Sequence, residues 1–400
     1  LLTLPGSFTL PRKYKIAISG CRADCAHAAV ADLGLAAAMQ DGKAGFVTRA
    51  AGGLGANPRL SVPLRDFLPV EETLWAAEAI RRIFDRIGDR TNRRRARLRF
   101  AVERIGADAF REMFDAEHQT VADEGHTPTV ACIDPDRGSD EVDAMPVPPD
   151  LTVRGGIRVL HQRQHDQVAL FFFPPLGNLD ANAATEIAEL AERFSQTQTL
   201  RLSQEQHLYI QDVATSHLDA LAETWTPVAA ALNTPQPLSR FVSCTGAAMC
   251  RLGICLSTRA TQACAAALAE AKLDFDALDH LKIRVSGCPN SCGQHWVGEI
   301  GFSGGARRSE DRSLPAYQVY LGHRGGFDYP KLGERVGTVP AKRLPQFLVD
   351  LVEDYLEGCD SGESIGDYCA DGAGRESVER LLEQYAELPA YADDPDAFRD

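Results

Sequence analysis

The sequence lacks any apolar run long enough to cross a bilayer. Its longest apolar stretch, Val168 to Phe173 followed by two prolines, is far shorter than the roughly 20 residues that a membrane helix needs. The first fifteen residues also lack the basic segment and the sustained apolar segment of a secretory signal. These absences predict a protein without a membrane partner.

Positive charge is in deficit, since 42 Lys and Arg stand against 56 Asp and Glu for a net charge of −14. Proteins bind nucleic acid by neutralising phosphates with Lys and Arg, so this balance argues against a nucleic-acid partner. One stretch departs from this overall negative charge, because arginine is the main charged residue from Arg81 to Arg99. Such a run predicts either a solvated helix face or a cradle for an anionic ligand.

Disulfide bonds are not expected, because 11 cysteines in 400 residues are too sparse for a disulfide-stapled secreted domain and an odd count leaves one unpaired. A reducing, cytoplasmic location fits this pattern. Several cysteines match no ligand spacing and are predicted to be small buried apolar residues. These are Cys132, Cys255, Cys264, Cys359 and Cys369.

Four other cysteines form two short motifs. Cys244 and Cys250 are the first and last residues of CTGAAMC, and Cys288 and Cys292 are the first and last residues of CPNSC. The two pairs are typical of four thiolate ligands to an iron–sulfur cluster. Structural zinc more often uses CxxC pairs, so the spacing leans away from zinc, and chance placement of buried cysteines is the plain alternative. Glycine and proline beside both pairs allow tight loops that could converge on one cofactor.

The chain contains an internal repeat. YKIAISGCRADCAHAAVADLGLAA from Tyr14 resembles LKIRVSGCPNSCGQHWVGEIGFSG from Leu281, which predicts two related domains. Cys21 and Cys25 mirror the second cysteine motif, but no CxxxxxC precedes them. We therefore predict that they are relics packed in the core, with a second cluster or a zinc site as the alternative.

Between the repeats, a Pro-rich and acidic stretch predicts a linker, and the strand and helix signals that follow it predict a small α+β unit. The glycine loop GGLGANP from Gly52 lacks the third glycine of a dinucleotide loop, so we expect a turn with close backbone approach. The predicted organisation is a first repeat at 1–119, a linker at 120–150, the α+β unit at 151–235, a second repeat at 236–388 and an acidic tail at 389–400.

Three features together resemble the siroheme-containing nitrite and sulfite reductases: CTGAAMC with CPNSCGQ, the two-fold repeat, and LPRKYKIAISG near the start. The resemblance covers roughly Leu10 to Leu388. It implies an α+β fold in which two pseudo-symmetric siroheme/[4Fe-4S] domains flank a ferredoxin-like half-domain. It also implies a [4Fe-4S] cluster on Cys244, Cys250 and Cys288, with Cys292 bridging the cluster and the siroheme iron.

The same resemblance implies that Lys13 and Lys15 are active-site lysines. Alternation along a strand would place both on one face with Tyr14 opposite; without the resemblance they would be two exposed strand lysines. Siroheme carries eight carboxylates, and Arg97 is expected to bind one of them. Arg90 or Arg93 is expected to help bind the carboxylates, and the other arginines are expected to lie at the surface. Further cofactor contacts are expected from Arg12, Asn290 and Gln294, while His295 is either a proton relay or, more simply, a structural histidine.

The implied activity is the six-electron reduction of nitrite to ammonia, with ferredoxin as the family's common electron donor. Reduction of sulfite to sulfide is the alternative, although the sulfite branch more often has CPNGC where this chain has CPNSC. An iron–sulfur electron-transfer or redox-sensing protein without siroheme is a rival from another class. Family members begin with a further half-domain that supplies active-site arginines, so the sequence predicts a fragment of a longer reductase.

Overall fold

The computed structural model describes residues 1–2, 4–125, 151–154, 156–162, 164, 166–273, 278, 281–360, 362–370 and 372–399. The chain divides into two compact units, Leu1–Met145 with Gly325–Lys331, and Pro146–Arg324 with Leu332–Asp400. Most of the expected linker, and Cys132 within it, lies outside the described residues. A search of the described residues finds no helix with the length and hydropathy of a membrane span.

The first unit is built on a four-stranded sheet in the order β1-β2-β3-β4. β1 runs parallel to β2, and the remaining neighbours are antiparallel. Three helices follow, and the first buries Ile80 and Phe84 on one face, as its apolar periodicity predicts. The elements are β1 (Ile16–Ser19), β2 (Leu33–Gln40), β3 (Lys43–Ala50), β4 (Val62–Pro69), α1 (Thr73–Ile87), α2 (Leu98–Ile105) and α3 (Ala107–Asp123).

The second unit begins with a five-stranded antiparallel sheet in the order β5-β6-β7-β9-β8. The predicted strands and helices of the α+β unit are present, and two further strands precede them. Asp180 caps the first helix by accepting a hydrogen bond from the Ala183 backbone N–H. The elements are β5 (Leu151–Arg154), β6 (Ile157–His161), β7 (Gln167–Phe172), α4 (Ala181–Phe194), β8 (Leu200–Leu202), β9 (Leu208–Ala214), α5 (Leu218–Glu223) and α6 (Pro227–Asn233).

A second five-stranded sheet, in the order β10-β11-β12-β13-β14, carries the cysteine motifs. β10, β11 and β12 are parallel, and the last three strands are antiparallel neighbours. The elements are β10 (Phe241–Ser243), α7 (Ser257–Glu270), β11 (Ile283–Ser286), β12 (Ile300–Ser309), β13 (Arg312–Leu321), β14 (Glu334–Pro340), α8 (Leu344–Gly358), α9 (Ile365–Tyr368) and α10 (Gly372–Tyr385).

The backbone confirms the sequence repeat. β1 pairs with β2 as Ile16 with Leu33, and β11 pairs with β12 as Ile283 with Ile300. The turns between these strands match as well, since equivalent residues His27 and Gln294 are both left-handed, with φ of 52° and 62°. The sheet of the second repeat, β10–β14, differs from the sheet of the first repeat, β1–β4, by one added strand. This strand, β10, leads into the CxxxxxC motif.

The acidic segment from residue 389 onward contacts the sheet of the second repeat. The Arg312 guanidinium of β13 lies 3.9 Å from the centre of the Tyr391 ring, and Tyr391 contacts Phe398 edge to face. Ser309 Oγ donates a hydrogen bond to the Pro389 carbonyl at 2.9 Å. Two aromatic rings therefore attach an acidic segment to the sheet despite its charge.

Asn233 provides a stability test of the α+β unit. Its buried amide donates to the Arg158 and Phe171 carbonyls and accepts from the Arg158 N–H. Asn233→Ala leaves these backbone groups unpaired, so we expect a loss of about 3 kcal/mol in unfolding free energy, measured by urea denaturation followed through Trp225 fluorescence in a background with Trp75→Phe and Trp296→Phe. The matched control, Asn178→Ala, removes only exposed 3.3 Å contacts and should change stability little; equal effects would refute the assignment.

Candidate functional site

The two cysteine motifs meet because their strands are parallel neighbours. β10 pairs with β11 as Phe241 with Ile283 and Ser243 with Val285. Both strands therefore end at the same edge of the sheet, and the loops that follow them start there. Directly beyond that edge, the Cys244 N–H donates to the Val285 carbonyl at 3.1 Å. The sheet thereby places CTGAAMC and CPNSC side by side.

Glycine allows the two loops to touch. Gly246 has a φ of +57°, and a Cβ there would lie 2.4 Å from Ser257 Oγ. A Cβ on Gly287 would lie 2.8 Å from the Gly246 Cα and 2.7 Å from the Cys255 carbonyl oxygen. Because side chains cannot occupy these positions, the loops approach through bare backbone. The Gly287 carbonyl then accepts the N–H groups of Ile254 and Cys255 at 2.8 and 2.9 Å.

The four thiols differ in exposure. Cys288 is buried at 8% exposure, Cys244 is half-buried, and Cys250 and Cys292 are exposed. The Gly287 backbone N–H donates to Cys244 Sγ at 3.1 Å, a contact that stabilises sulfur in its thiolate form. None of the ten cysteines within the described residues forms a disulfide. Cys255, Cys264 and Cys369 are buried as predicted, and burial raises the pKa of Cys264 to about 12.

No group of three or more His, Cys, Asp or Glu side chains among the described residues is arranged around a single metal ion. The thiolates of a [4Fe-4S] cluster each bind a different iron, so they surround a volume instead of meeting at one point. Exposed apolar side chains lie beside Cys250, including Met249 at 82% exposure, together with Leu252 and Ile254. Such a cluster of exposed apolar residues is typical of a surface that a ligand or partner covers.

The residues on either side of Cys292 take different roles. Asn290 is exposed, whereas the Gln294 amide oxygen accepts a hydrogen bond from Arg284 Nη1 at 2.7 Å. His295 is fully buried against Tyr320, with ring centroids 4.6 Å apart, and neither ring nitrogen has a hydrogen-bond partner among the described residues. Burial lowers the pKa of His295 to about 3. The imidazole is therefore neutral at ordinary pH, which favours the structural interpretation over the proton relay.

The prediction that Cys21 and Cys25 are packed in the core is wrong. Cys21 is half-buried and Cys25 is exposed. The core position in this loop belongs to Asp24, whose carboxylate accepts hydrogen bonds from Ser19 Oγ and the N–H groups of Ala28 and Ala29 at 2.7 to 2.9 Å. A buried carboxylate with three donors organises the turn, so the two thiols are left at its surface.

Lys13 and Lys15 are both exposed, and Tyr14 points the other way to donate to the Ala77 carbonyl at 3.0 Å. The expected alternation is present, although the regular strand begins only at Ile16. Burial is the main cause that raises the pKa of Tyr14 well above its usual value. Tyr14 therefore anchors the segment as a neutral phenol. Arg12 and Lys13 also line a cleft of about 580 Å³ in this unit.

Arg97 is engaged with a carboxylate of the protein. Its Nη2 donates to Asp32 at 2.7 Å and its Nε at 3.3 Å, and the same carboxylate accepts the Lys15 backbone N–H at 2.8 Å. Asp32 is fully buried. Arg97 thus holds the segment that carries the two lysines, a contact that sequence reasoning did not anticipate.

The expectation that the other arginines lie at the surface is wrong for Arg81 and Arg99. Arg81 is buried in a two-bond ion pair with Glu78. Arg99, 6% exposed, donates to the Asn57 carbonyl, yet its Nη1 has no partner among the described residues. A Cβ on Gly53 would lie 2.5 Å from that nitrogen, so the glycine loop makes the expected close approach. The sequence did contain a signal for a buried arginine, because Arg99 lies within the apolar run LRFAV of α2.

Burial is the main cause that lowers the pKa of Arg99 to about 10, and the neighbouring Arg97 acts in the same direction. The guanidinium nevertheless stays charged at neutral pH. A buried, charged N–H donor beside a bare glycine backbone can bind a carboxylate or another anion.

Family models match two parts of the chain. The nitrite and sulphite reductase 4Fe-4S domain matches residues 2–121, and the nitrite/sulfite reductase ferredoxin-like half domain matches residues 161–225. The chain is 31% identical to a ferredoxin–nitrite reductase of Synechococcus elongatus over 86% of its own length. It is 28% identical to an assimilatory ferredoxin-dependent nitrite reductase of Haloferax mediterranei over 94%, and to a ferredoxin sulfite reductase of Mycolicibacterium paratuberculosis over 92%.

The chain thus contains two segments that match domains of the nitrite and sulfite reductases. It spans about 63% of the length of each of these three relatives. The NirA protein of Mycobacterium tuberculosis has a similar fold, with a TM-score of 0.72 and 23% identity over 92% of this chain and 64% of that one. The predicted α+β class, with a ferredoxin-like half-domain, is confirmed.

The contact between the cysteine loops can be tested at Gly287. Gly287→Ala inserts a methyl group within 2.8 Å of the Gly246 backbone, so we expect a loss of about 1–3 kcal/mol in stability and a large loss of iron incorporation. Thermal unfolding of the metal-free protein and iron analysis measure the two effects. The control is Gly305→Ala in the same sheet, whose Cβ would meet no atom closer than 3.9 Å. A neutral Gly287→Ala would contradict the proposed loop contact.

Proposed function

We propose that this chain is the cofactor-binding part of an assimilatory siroheme and [4Fe-4S] reductase that converts nitrite to ammonia. The observation that carries the proposal is the contact between two glycine-containing loops, each with two of the four cysteines, at the shared edge of β10 and β11. The two matched domains support it, and relatives named as ferredoxin-dependent nitrite reductases support the substrate.

The residues fit the proposed cofactors. Cys244, Cys250, Cys288 and Cys292 would hold the cluster, and Cys292 would also ligate the siroheme iron. The N–H group aimed at Cys244 Sγ suits a thiolate ligand. Exposed apolar side chains next to Cys250 suit a tetrapyrrole, which would cover them.

Siroheme also presents carboxylates, for which arginines are candidate ligands. Arg99 keeps a buried Nη1 without a partner among the described residues, which makes it a better carboxylate ligand than Arg97, already engaged with Asp32. Arg12, Asn290 and Gln294 remain candidate contacts. When bound, the two cofactors would store and transfer single electrons.

The proposed reaction consumes six electrons and eight protons for each nitrite and yields one ammonium ion and two water molecules. The electrons would come from ferredoxin, a one-electron carrier, so six reduced ferredoxins would be oxidised in each turnover. The protein's contribution is to bind an anion and to deliver protons. Lys13 and Lys15 supply two exposed positive charges on a segment held by Tyr14 and Asp32, as such a role requires.

Sulfite is a second candidate substrate, because a ferredoxin sulfite reductase is among the relatives at 28% identity. Its reduction to hydrogen sulfide anion would take six electrons and seven protons and release three waters.

The cytoplasm is the proposed location of the protein. The outcome that would instead favour an electron-transfer protein is a bound cluster without siroheme.

Absorption spectroscopy and iron analysis test the cofactors. Protein produced with siroheme available should show a Soret band, iron and acid-labile sulfide. Cys292→Ser should disturb the cluster and siroheme spectra together, because one thiolate serves both. Cys21→Ser, in the equivalent loop of the first repeat, should leave both intact. Zinc as the bound metal, or loss of the cluster in the Cys21 variant, would overturn the assignment.

Steady-state kinetics test the two lysines. Lys13→Met and Lys15→Met should each reduce nitrite-dependent oxidation of the electron donor by about a hundredfold, the lower end of the range for a single general acid or electrostatic group, while cofactor content stays constant. Lys43→Met, at an exposed lysine of β3, is the control. Unchanged rates in the first two variants would remove those lysines from the proposed site.

A further inference from the structure

A loop of the half-domain contacts the strands that lead into the cysteine motifs. The Gln206 amide donates to the Ser243 carbonyl at 3.0 Å and accepts the Ser243 N–H at 3.1 Å. Glu205 Oε1 lies 2.6 Å from Lys282 Nζ at the start of β11. The loop from Ser203 to His207 therefore lies beside both β10 and β11, and Ser243 directly precedes Cys244.

Arg284 extends this contact to the second cysteine loop. Its side chain is 1% exposed; Nη2 lies 4.0 Å from Glu205 Oε1, and Nη1 donates to Gln294 Oε1 at 2.7 Å. Burying a guanidinium is unfavourable unless its charge and its donors find partners. Glu205 supplies the opposite charge and Gln294 supplies an acceptor, so the arginine joins the half-domain to a residue two positions after Cys292.

The bond to Arg284 determines how the Gln294 amide is oriented. Arginine has donors only, so the atom that faces it must be the amide oxygen. The amide nitrogen is left with two N–H donors, and it has no hydrogen-bond partner among the described residues. A donor group held by a buried arginine, next to a proposed ligand cysteine, can hydrogen-bond a bound cluster or its thiolate.

The first repeat provides an internal comparison. Ala17 stands where the second repeat has Arg284, and His27 stands where it has Gln294. His27 nevertheless adopts the same left-handed backbone as Gln294 and precedes the same single 3-10 turn. The loop therefore forms without an arginine–glutamine pair. That pair occurs in the repeat that carries both cysteine motifs and is missing from the repeat that carries only Cys21 and Cys25.

We propose that Arg284 is a positioning residue that holds the Gln294 amide with its N–H donors toward the bound iron–sulfur cofactor. The inference rests on the proposed function, since it presumes that a cluster is bound. Hydrogen bonds to cluster or thiolate sulfur stabilise the reduced, more negative state and raise the reduction potential. The half-domain, through Glu205, thus contributes to the electron affinity of a site that it does not itself ligate.

A double-mutant cycle on the cluster reduction potential tests this proposal. In the cofactor-loaded protein, Arg284→Gln and Gln294→Ala should each shift the potential to more negative values at unchanged iron content. The double variant should shift no further than Gln294→Ala alone, because the arginine acts through the amide. Additive shifts would mean that Arg284 acts by charge alone, and unchanged potentials would mean that it does not act on the cofactor; either result overturns the proposal.

Lys282→Gln is the matched control. It also removes a positive charge that pairs with Glu205, but no hydrogen bond joins Lys282 to Gln294 among the described residues. Its potential should stay near that of the wild type. A shift equal to that of Arg284→Gln would refute a positional effect. If Arg284→Gln does not fold, Glu205→Gln replaces it in the cycle and should lower the potential only while Gln294 is present.

The metal-free protein provides a second readout. With selective ¹⁵N-glutamine labelling, the side-chain amide signal of Gln294, assigned by its loss in Gln294→Ala, should have a distinct shift that moves toward the free-amide value in Arg284→Gln. An unchanged signal would overturn the proposal even if no cofactor binds. Failure of the wild type to take up iron and siroheme would instead refute the proposed function, so the two failures are distinguishable.

Discussion

The approach of two bare backbones, at Gly246 and Gly287, is the constraint on which the candidate site depends. β10 and β11 leave the same sheet edge, but parallel pairing alone would separate the loops by the width of a side chain. Glycine at both positions removes that separation and allows Gly287 to bond Cys244, Ile254 and Cys255. The two loops that carry the four cysteines then touch although the motifs are distant in sequence.

The two repeats share one backbone design but use it differently. In the first, Asp24 fills the turn and Asp32 with Arg97 holds the lysine segment. In the second, Ser291 and Glu299 take the positions of these two aspartates, and burial is the main cause that raises the pKa of Glu299 to about 7. Only the second repeat gains β10 and, with it, the CxxxxxC motif. One added strand thus distinguishes the repeat that carries the proposed cluster ligands from the repeat that does not.

Side-chain partners were the part that sequence reasoning predicted least well. The helices α1, α4 and α8 each bury one continuous apolar face, so apolar periodicity in the sequence is enough to identify them. Arg97 was expected to bind a cofactor, yet it pairs with an aspartate 65 positions earlier in the chain. Arg99 was expected at the surface, yet it is buried beside Gly53. Such pairings depend on which strands become neighbours, and local pattern does not specify that.

The sequence by itself determined the cysteine quartet, the repeat and the lysine motif, because spacing and residue type are local properties of the chain. Only the tertiary structure decided that a turn around Asp24 leaves Cys21 and Cys25 at the surface. The same holds for the bond between Arg284 and Gln294 and for the approach of Glu205 to both strands. These contacts join residues from separate elements, and packing of the half-domain against the second sheet brings them together.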